Sequence, residues 1–389
     1  MTGKPASSEA RTGSMRVLAL NCGSSSLKFA LLETASGDRL LEGREELGEG
    51  AHAAALDSLL ARLDAAPELL GGIEAVGHRV VHGGEAFSAP VRIDAEVVAG
   101  IQAVSPLAPL HNPANLLGIE RLRAALPALP QVAVFDTAFH QTLPARAHLY
   151  ALPRFLHRDH GVRRYGFHGT SHRYVAAEAV RRLDLDESCS RVISAHLGNG
   201  CSLAAVLGGR CVDTSMGLSP LEGLVMGTRS GDVDPGLHLF LSQRLGFDLP
   251  RVTALLNEES GLLGISELSG DVRELEAAER GGHAGARLAL EIFCYRLARY
   301  VAALTVPLAG LDALVFTGGV GENSARVRAG VLEALAYLGF ALDPTRNCNH
   351  GASSEGLVVA GGPPFALVVP TDEESLIALE TARVLEASP

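Results

Sequence analysis

"RVLALNCGSSSLKFALL" (residues 16–32) and "RVISAHLGNGCSLAAVL" (residues 191–207) follow one pattern. Each opens on Arg-Val and passes through three apolar-leaning residues to a polar one, Asn21 or His196. A Gly/Ser/Asn turn follows, and the apolar run resumes at Leu27 or Leu203, with one inserted residue aligning the two. Strand, glycine turn and strand, written twice about 175 residues apart, predict two related halves. Taken alone, the first stretch also reads as a Gly/Ser linker, a serine nucleophile or an ordinary hairpin with a polar turn. The strand-like flanks exclude the linker. Ser24 lacks the second glycine of G-x-S-x-G, which speaks against a nucleophile elbow.

Working outward, each half alternates strands with helices. In the first, "IEAVGHRVVHGG" and "QVAVFDTAFH" read as strands ending in polar turns, with helices around 53–66, 94–103 and 113–125. In the second, "LDALVFTGGVGEN" reads as a strand, a glycine turn and a helix from about Ser324. "FALVVPTDEESLIALETARVLEA" reads as a strand, a break and a last helix capped by Thr371 or Asp372. This alternation predicts a mixed α/β fold with ligand-binding residues at the strand ends.

The composition narrows the function. A chain of 389 residues with 47% hydrophobic and 20% charged residues forms cores and suits two domains. Its net charge of −11 argues against nucleic acid, so any bound anion must be captured by local groups. The six cysteines form no C-x-x-C pair, which points to a reducing, cytoplasmic setting. "MTGKPASSEARTGS" has no apolar core segment and reads as a disordered tail over residues 1–14. The apolar run from Ala286 carries Arg287, Glu291, Arg296 and Arg299 at helical spacing, so it is a mostly buried amphipathic helix and not a membrane span.

No P-loop occurs, and "GGVGEN" (318–323) fails the dinucleotide pattern. What remains is three glycine turns after strands, at 22–26, 198–202 and 318–321, where backbone N–H groups can approach a polyphosphate. His78/His82 and His168/His172 stand at i, i+4, but glycines and β-branched or aromatic neighbours make a helical zinc face a poor reading. For His82, His140 and His172 an ordinary structural hydrogen bond suffices. Arg79 ends an apolar strand and Arg229 sits in a glycine loop; burying either stem demands an anionic partner. Asp136 ends another apolar strand, as a hydrogen-bond acceptor or a magnesium-side ligand.

These residues resemble the acetate kinase family, which includes propionate and butyrate kinases. The resemblance rests on "NCGSSSLKF", "GHRVVHGG", "PLHNPAN", "VFDTAFHQTLP", "YGFHGTSH", "HLGNGCS", "DTSMGLSPLEGLVMGTRSGDVDPG", "SGDVREL", "FTGGVGEN" and "PTDEE", in order from about residue 16 to 375. It implies an α/β fold of two duplicated ribonuclease-H-like (actin/sugar-kinase-like) domains flanking a nucleotide cleft. The domains implied are 15–150, joined by the C-terminal helix 373–387, and a nucleotide-binding 151–372. It assigns phosphate and nucleotide binding to Asn21, Ser24, Ser26, Lys28, His196, Leu197, Gly198, Asn199 and Gly200. Asp271, Val272, Arg273, Gly319, Val320, Gly321, Glu322 and Asn323 fall around the adenosine. Arg79, Arg229, His168 and Asp136 are the implied catalytic groups, and Asn21, Asp136 and Glu373 the groups associated with Mg²⁺, for which Mn²⁺ can substitute. The acid's alkyl group is implied to meet Val81, Leu110, Phe167 and Pro220, with His111 beside it. Three positions depart from the family: Val272 where an aromatic is common, Cys201 as an oxidation-sensitive residue in a turn, and Asp372 before Glu373.

The implied reaction is reversible, in-line transfer of the γ-phosphoryl group of ATP to acetate, giving acetyl phosphate and ADP, with acetyl-CoA biosynthesis as its setting. A carboxylate is already ionised at neutral pH, so the absence of a Ser-His-Asp or Cys-His motif is expected. A small slot at Val81, Leu110 and Phe167 favours acetate, although each methylene is worth only about 0.8 kcal/mol. The alternatives are a propionate kinase of the same family and a non-catalytic nucleotide switch, which would leave Arg79 and Arg229 without a task. The family also implies a homodimer through the second domain, with no nucleic-acid or membrane partner.

Overall fold

Residues 17–20 are completely buried, which a strand achieves only when it is covered on both faces. That strand, β1 (Arg16–Cys22), lies inside a sheet with β2 (Ser26–Glu33), β3 (Arg39–Glu46), β4 (Ala75–Val80), β5 (Val91–Arg92) and β6 (Gln131–Phe135). The sheet order is β3-β2-β1-β4-β6-β5. β1 pairs antiparallel with β2 and parallel with β4, and β4 pairs parallel with β6. The computed structural model describes residues 13–23, 26–47, 51–109 and 111–387, so the tail expected over 1–14 lies almost wholly outside it, as do Ser24 and Leu110.

The second sheet repeats this plan. Its strands are β7 (Arg191–Leu197), β8 (Cys201–Leu207), β9 (Arg210–Thr214), β10 (Ala313–Thr317) and β11 (Phe365–Val368), in the order β11-β10-β7-β8-β9. In both sheets an antiparallel three-strand meander is extended by two parallel strands on the far side of its first strand. This is the ribonuclease-H-like order, present twice, with β1–β2 and β7–β8 as the two hairpins read from the sequence. The chain divides into two compact units: residues up to Ala138 with those from Asp372 onward, and Phe139–Thr371.

Helices cover the sheets where their apolar faces dictate. In the first unit Leu56, Leu59 and Leu63 of helix His52–Asp64 and Leu122 of helix Asn112–Ala125 pack on Leu18, Leu20 and Val76. On the opposite face, Ile377 and Ala378 of helix Glu373–Ala387 pack on Val17, Ala19 and Val132. Asp372 caps that helix, accepting from Ser375 N–H at 3.0 Å, with Glu373 and Glu374 in the favourable first turn. In the second unit, helix Ala284–Leu308 buries Ala286, Leu290, Phe293, Leu297 and Val301 at helical spacing. No helix among the described residues is long and apolar enough to cross a membrane.

One expectation is corrected. The third glycine segment is not an open turn but a short helix, Gly318–Asn323. Gly318 leaves β10 with a φ of 77°, and the Glu322 carboxylate accepts its N–H at 2.9 Å, closing the segment on itself. Ser324 then caps helix Ala325–Ala334 by accepting from Val327 N–H at 3.0 Å.

Gly77 in β4 sets how closely the last helix approaches. A Cβ there would stand 2.4 Å from Thr381 Oγ1 and 2.7 Å from Ile377 Cγ2, both on the helix side. Gly77→Ala is therefore expected to destabilise the first unit by about 1–3 kcal/mol, read as a lower urea midpoint in its unfolding transition.

Candidate active site

In the first unit, three strand ends and the start of the last helix bring four predicted residues together. Asn21 is the last residue but one of β1, Arg79 lies near the end of β4, and Asp136 directly follows β6. The Arg79 guanidinium donates from Nε to both Asp136 oxygens (3.1 and 3.0 Å), from Nη2 to Oδ2 (2.5 Å) and from Nη1 to Asn21 Oδ1 (2.8 Å). Asn21 Nδ2 in turn donates to Glu373 Oε2 at 2.8 Å. Burial alone would lower the Arg79 pKa, but Asp136 and Glu373 outweigh it and raise it, so the group stays charged. Asp136 has no exposed surface.

Lys28 stands directly across the hairpin from Asn21, on the same face of the sheet. Beside it the sequence reading missed Glu374, whose buried Oε1 has no hydrogen-bond partner among the described residues. Burial first and Glu373 second push the Glu374 pKa up, while Lys28 opposes them. Ser26 closes the hairpin by accepting Gly23 N–H at 2.8 Å through its carbonyl. Two more missed residues, Asn115 and Asn112, tie down the strand ends. They accept the N–H groups of Val81 (3.0 Å) and His82 (3.1 Å), and Asn115 donates to Cys22 O at 2.7 Å. His111 occupies the N-cap position of their helix. Two asparagines in one first helical turn were the available signal. His78 and His82 lie on and just after β4, where burial lowers both pKa values to about 4.

The second unit holds the other set. His168 adopts a left-handed conformation (φ 56°) at the start of helix Gly169–Arg182. Its Nδ1 lies 2.8 Å from Ser202 Oγ, and its ring stacks on His196 with centroids 4.3 Å apart. His196 Nδ1 is fixed by Ser171 Oγ at 2.8 Å. His172, by contrast, is fully buried with both ring nitrogens 2.7 Å from Ser194 and Ser202. Burial, then His140 and His196, hold it well below its usual pKa, which fits the structural role expected of it. His140 is likewise buried, its Nε2 3.0 Å from the carbonyl of the buried Phe167.

Gly200 is where Arg229 and His168 converge. A Cβ on it would stand 3.3 Å from Arg229 Nη1 and 3.7 Å from His168 Nε2. Arg229 donates to Pro220 O at 3.2 Å, and among the described residues no carboxylate pairs with it. Burial accordingly lowers its pKa. In the turn itself, Gly198 N–H donates to Gly200 O at 3.0 Å, and Leu197 before it is fully buried. Asn199 accepts Gly227 N–H at 3.1 Å through its carbonyl, joining the turn to the loop that carries Arg229. Cys201 corrects an expectation: it is fully buried, and burial pushes its thiol up to about 12, so it is shielded from oxidation.

The remaining predicted residues form separate edges of the second unit. Asp271 caps helix Val272–Arg280 and pairs with the exposed Arg273 at 2.5 Å, while Val272 is 5% exposed. Gly319 faces open space, with nothing within 4 Å of a Cβ built on it. Asn323 Nδ2 holds Gly319 O at 3.0 Å, Val320 is half-buried and Gly321 is buried. Glu322 accepts from Thr371 N–H at 3.3 Å as well as from Gly318. No group of three or more His, Cys, Asp or Glu among the described residues is placed to hold a metal ion by itself.

A twice-repeated sheet with glycine turns, and a desolvated guanidinium and a histidine aimed at one of them, define a phosphoryl-transfer protein of the α/β class. The family model described as the Acetokinase family matches residues 42–379, and the chain belongs to that family. It is 56% identical over 398 residues to an acetate kinase of Deinococcus deserti, covering 96% of this chain and 98% of that one. An acetate kinase of Shewanella loihica is 52% identical over 95% of this chain and 99% of its own length. Among solved structures, a propionate kinase from Francisella tularensis superposes with a TM-score of 0.88 at 43% identity, over 95% of this chain and 100% of that one. The acetate kinase of Porphyromonas gingivalis gives 0.87 at 43% identity, over 96% and 100%.

Two outcomes test this geometry. Iodoacetamide on the native protein should label the exposed Cys189 and Cys348 and leave Cys201 intact, as read by peptide mass mapping. Gly227→Ala would place a Cβ 2.2 Å from Asn199 Oδ1, so kcat/KM should fall at least about tenfold with displacement of the Arg229 loop.

Proposed function

We propose that this chain transfers the γ-phosphoryl group of ATP reversibly to acetate, giving acetyl phosphate and ADP by direct in-line displacement. A carboxylate oxygen forms the new bond to phosphorus as the bond to the β–γ bridging oxygen breaks, and ADP carries away that electron pair. Acetate needs no general base, because a carboxylate ionises near pH 4. The obstacle is repulsion: two like charges about 4 Å apart cost roughly 4 kcal/mol at an effective dielectric of about 20. The observation that carries the reading is Arg229, a desolvated guanidinium with neutral partners beside the Gly200 turn. Membership in the Acetokinase family supports the same reaction.

In this reading Arg229 neutralises charge on the equatorial oxygens, and His168, oriented by Ser202, donates from Nε2. Arg79 holds the acetate carboxylate while Asp136 and Asn21 fix its fork. Lys28, Ser24, Ser26 and the 198–200 turn bind phosphate, and Gly319, Asn323 and Asp271–Arg273 meet the nucleoside. The methyl group falls to Val81, Leu110, Phe167 and Pro220, beside His111. The oxygen donors Asn21, Asp136 and Glu373 fit Mg²⁺ or Mn²⁺, which needs few protein ligands and keeps several waters; the unpaired buried Glu374 oxygen fits the same charge. When bound, the ion screens the triphosphate. Free, mostly buried cysteines support a cytoplasmic setting. Exposed apolar residues of the second unit, Leu239, Phe240, Leu249, Tyr295 and Val306, support a homodimer.

The test is hydroxylamine trapping of acyl phosphate from Mg-ATP with acetate, propionate or butyrate. Hydroxamate should form best with acetate, and Arg229→Ala should lower kcat/KM by about 10²–10³-fold. A preference for propionate, the substrate for which the Francisella neighbour is named, would keep the mechanism and move the substrate. No hydroxamate despite ATP binding would sink the kinase reading. Separately, Gly319→Val should raise KM for ATP at least about tenfold with an unchanged melting temperature, since a Cβ there has no described atom within 4 Å.

A further inference from the structure

In the first unit a half-open polar pocket of about 470 Å³ lies where β6 begins, at the end of the strand opposite Asp136. That volume lies within the roughly 300–1,000 Å³ of small-molecule sites. We propose that it binds a small organic anion, with a phosphate or carboxylate head on Arg92, Arg123 and Gln131 and an apolar body against Ile93, Leu126 and Leu129. The inference goes beyond the proposed reaction and does not depend on it.

Three observations support the site. In a chain with 44 acidic and 33 basic residues, carboxylate partners are plentiful, yet neither Arg92 nor Arg123 makes an ion pair among the described residues. Arg121, two residues from Arg123, does reach Asp57 at 3.5 Å. Gln131 is 4% exposed, and among the described residues its buried Nε2 has no hydrogen-bond partner. Its Oε1 lies 2.7 Å from Nε2 of His78, which burial keeps neutral, so His78 donates there and the amide N–H groups are left over. A buried amide donor left unpaired is costly, and an anionic oxygen is the acceptor that suits two guanidinium groups as well. Arg123 in the last turn of its helix has a second explanation in the helix dipole, but that accounts for neither Arg92 nor the amide.

The experiment uses Arg229→Ala protein, so that anion binding at the catalytic loop is removed. Calorimetric titrations with phenyl phosphate and with benzoate are compared with inorganic phosphate and phenol. The binding component that is lost when Arg92→Gln and Arg123→Gln are added reports this pocket rather than Arg79 or Lys28, and in that component an aryl anion should bind more tightly than inorganic phosphate or phenol. The tighter of phenyl phosphate and benzoate identifies the head group. Adding Arg92→Gln and Arg123→Gln, both exposed positions, should weaken binding at least about tenfold with an unchanged melting temperature. Gln131→Leu should weaken it too, and Arg92→Gln/Arg123→Gln with Arg229 intact should keep full turnover. Absence of binding at millimolar ligand, or binding unaltered by the double substitution, overturns the site.

Discussion

The Arg79 fork is the joint on which the first unit's strand ends depend. Its donors reach Asp136 after β6 and Asn21 on β1, and Asn21 passes the link on to Glu373 at the start of the last helix. One buried cation thus fixes the ends of three strands and a helix relative to each other. A pair of this kind contributes little net stability, because desolvation offsets the attraction, yet removing one partner leaves an uncompensated charge costing about 3–5 kcal/mol. What the fork provides is position, since a planar guanidinium held at Nε, Nη1 and Nη2 has no rotational freedom left.

The two halves solve one problem with different residues. Each hairpin ends its first strand on a polar side chain, Asn21 or His196, and closes its turn with a glycine N–H on a carbonyl: Gly23 on Ser26 and Gly198 on Gly200. The backbone geometry is shared, whereas the chemistry diverges. Asn21 joins an ion-pair chain, and His196 stacks on His168. The arginines divide the same way, Arg79 paired with Asp136 and Arg229 without a carboxylate partner among the described residues. A chain of net charge −11 can hold anions only where such local groups override its field.

Much of this was legible because it is local. Apolar runs of strand length, glycines at fixed offsets and caps such as Asp372 and Ser324 act within a few residues, and the hairpins and final helix follow from them. The position of Arg79 at an apolar strand end called for an anionic partner, but not for Asp136, 57 residues on, as that partner. What the sequence did not disclose is long-range. Ser202 orients His168 from 34 residues away, and Asn115 reaches Cys22 across 93. No spacing rule marks such serines and asparagines, because their role exists only after the strands have paired. The glycine-rich 318–323 segment was misread for a related reason. Its glycines suggested an open turn, but the Glu322 carboxylate four residues on from Gly318 captures the first N–H and favours a helical turn. Cys201 was misread because its neighbours in sequence are small and polar, whereas its neighbours in space bury it completely.

An uncompensated guanidinium must be kept from finding a carboxylate, and the Arg229 loop shows how. Its backbone is fixed at successive positions: Gly227 N–H on Asn199 O, Ser260 N–H on Thr228 O, Leu262 N–H on Met226 O and Ser230 N–H on Leu256 O. Gly261 allows this closeness, since a Cβ there would lie 2.3 Å from Met226 O and 2.7 Å from Arg229 O. With the main chain so held, the root of the side chain is fixed beside the Gly200 turn, and among the described residues no carboxylate pairs with its guanidinium. The nearest acceptor it retains is a neutral carbonyl, that of Pro220. Rigid support of this kind is what electrostatic stabilisation requires, because a charge that must reorganise during the reaction loses its advantage over water. The backbone, rather than a counterion, therefore keeps Arg229 available for anionic substrate.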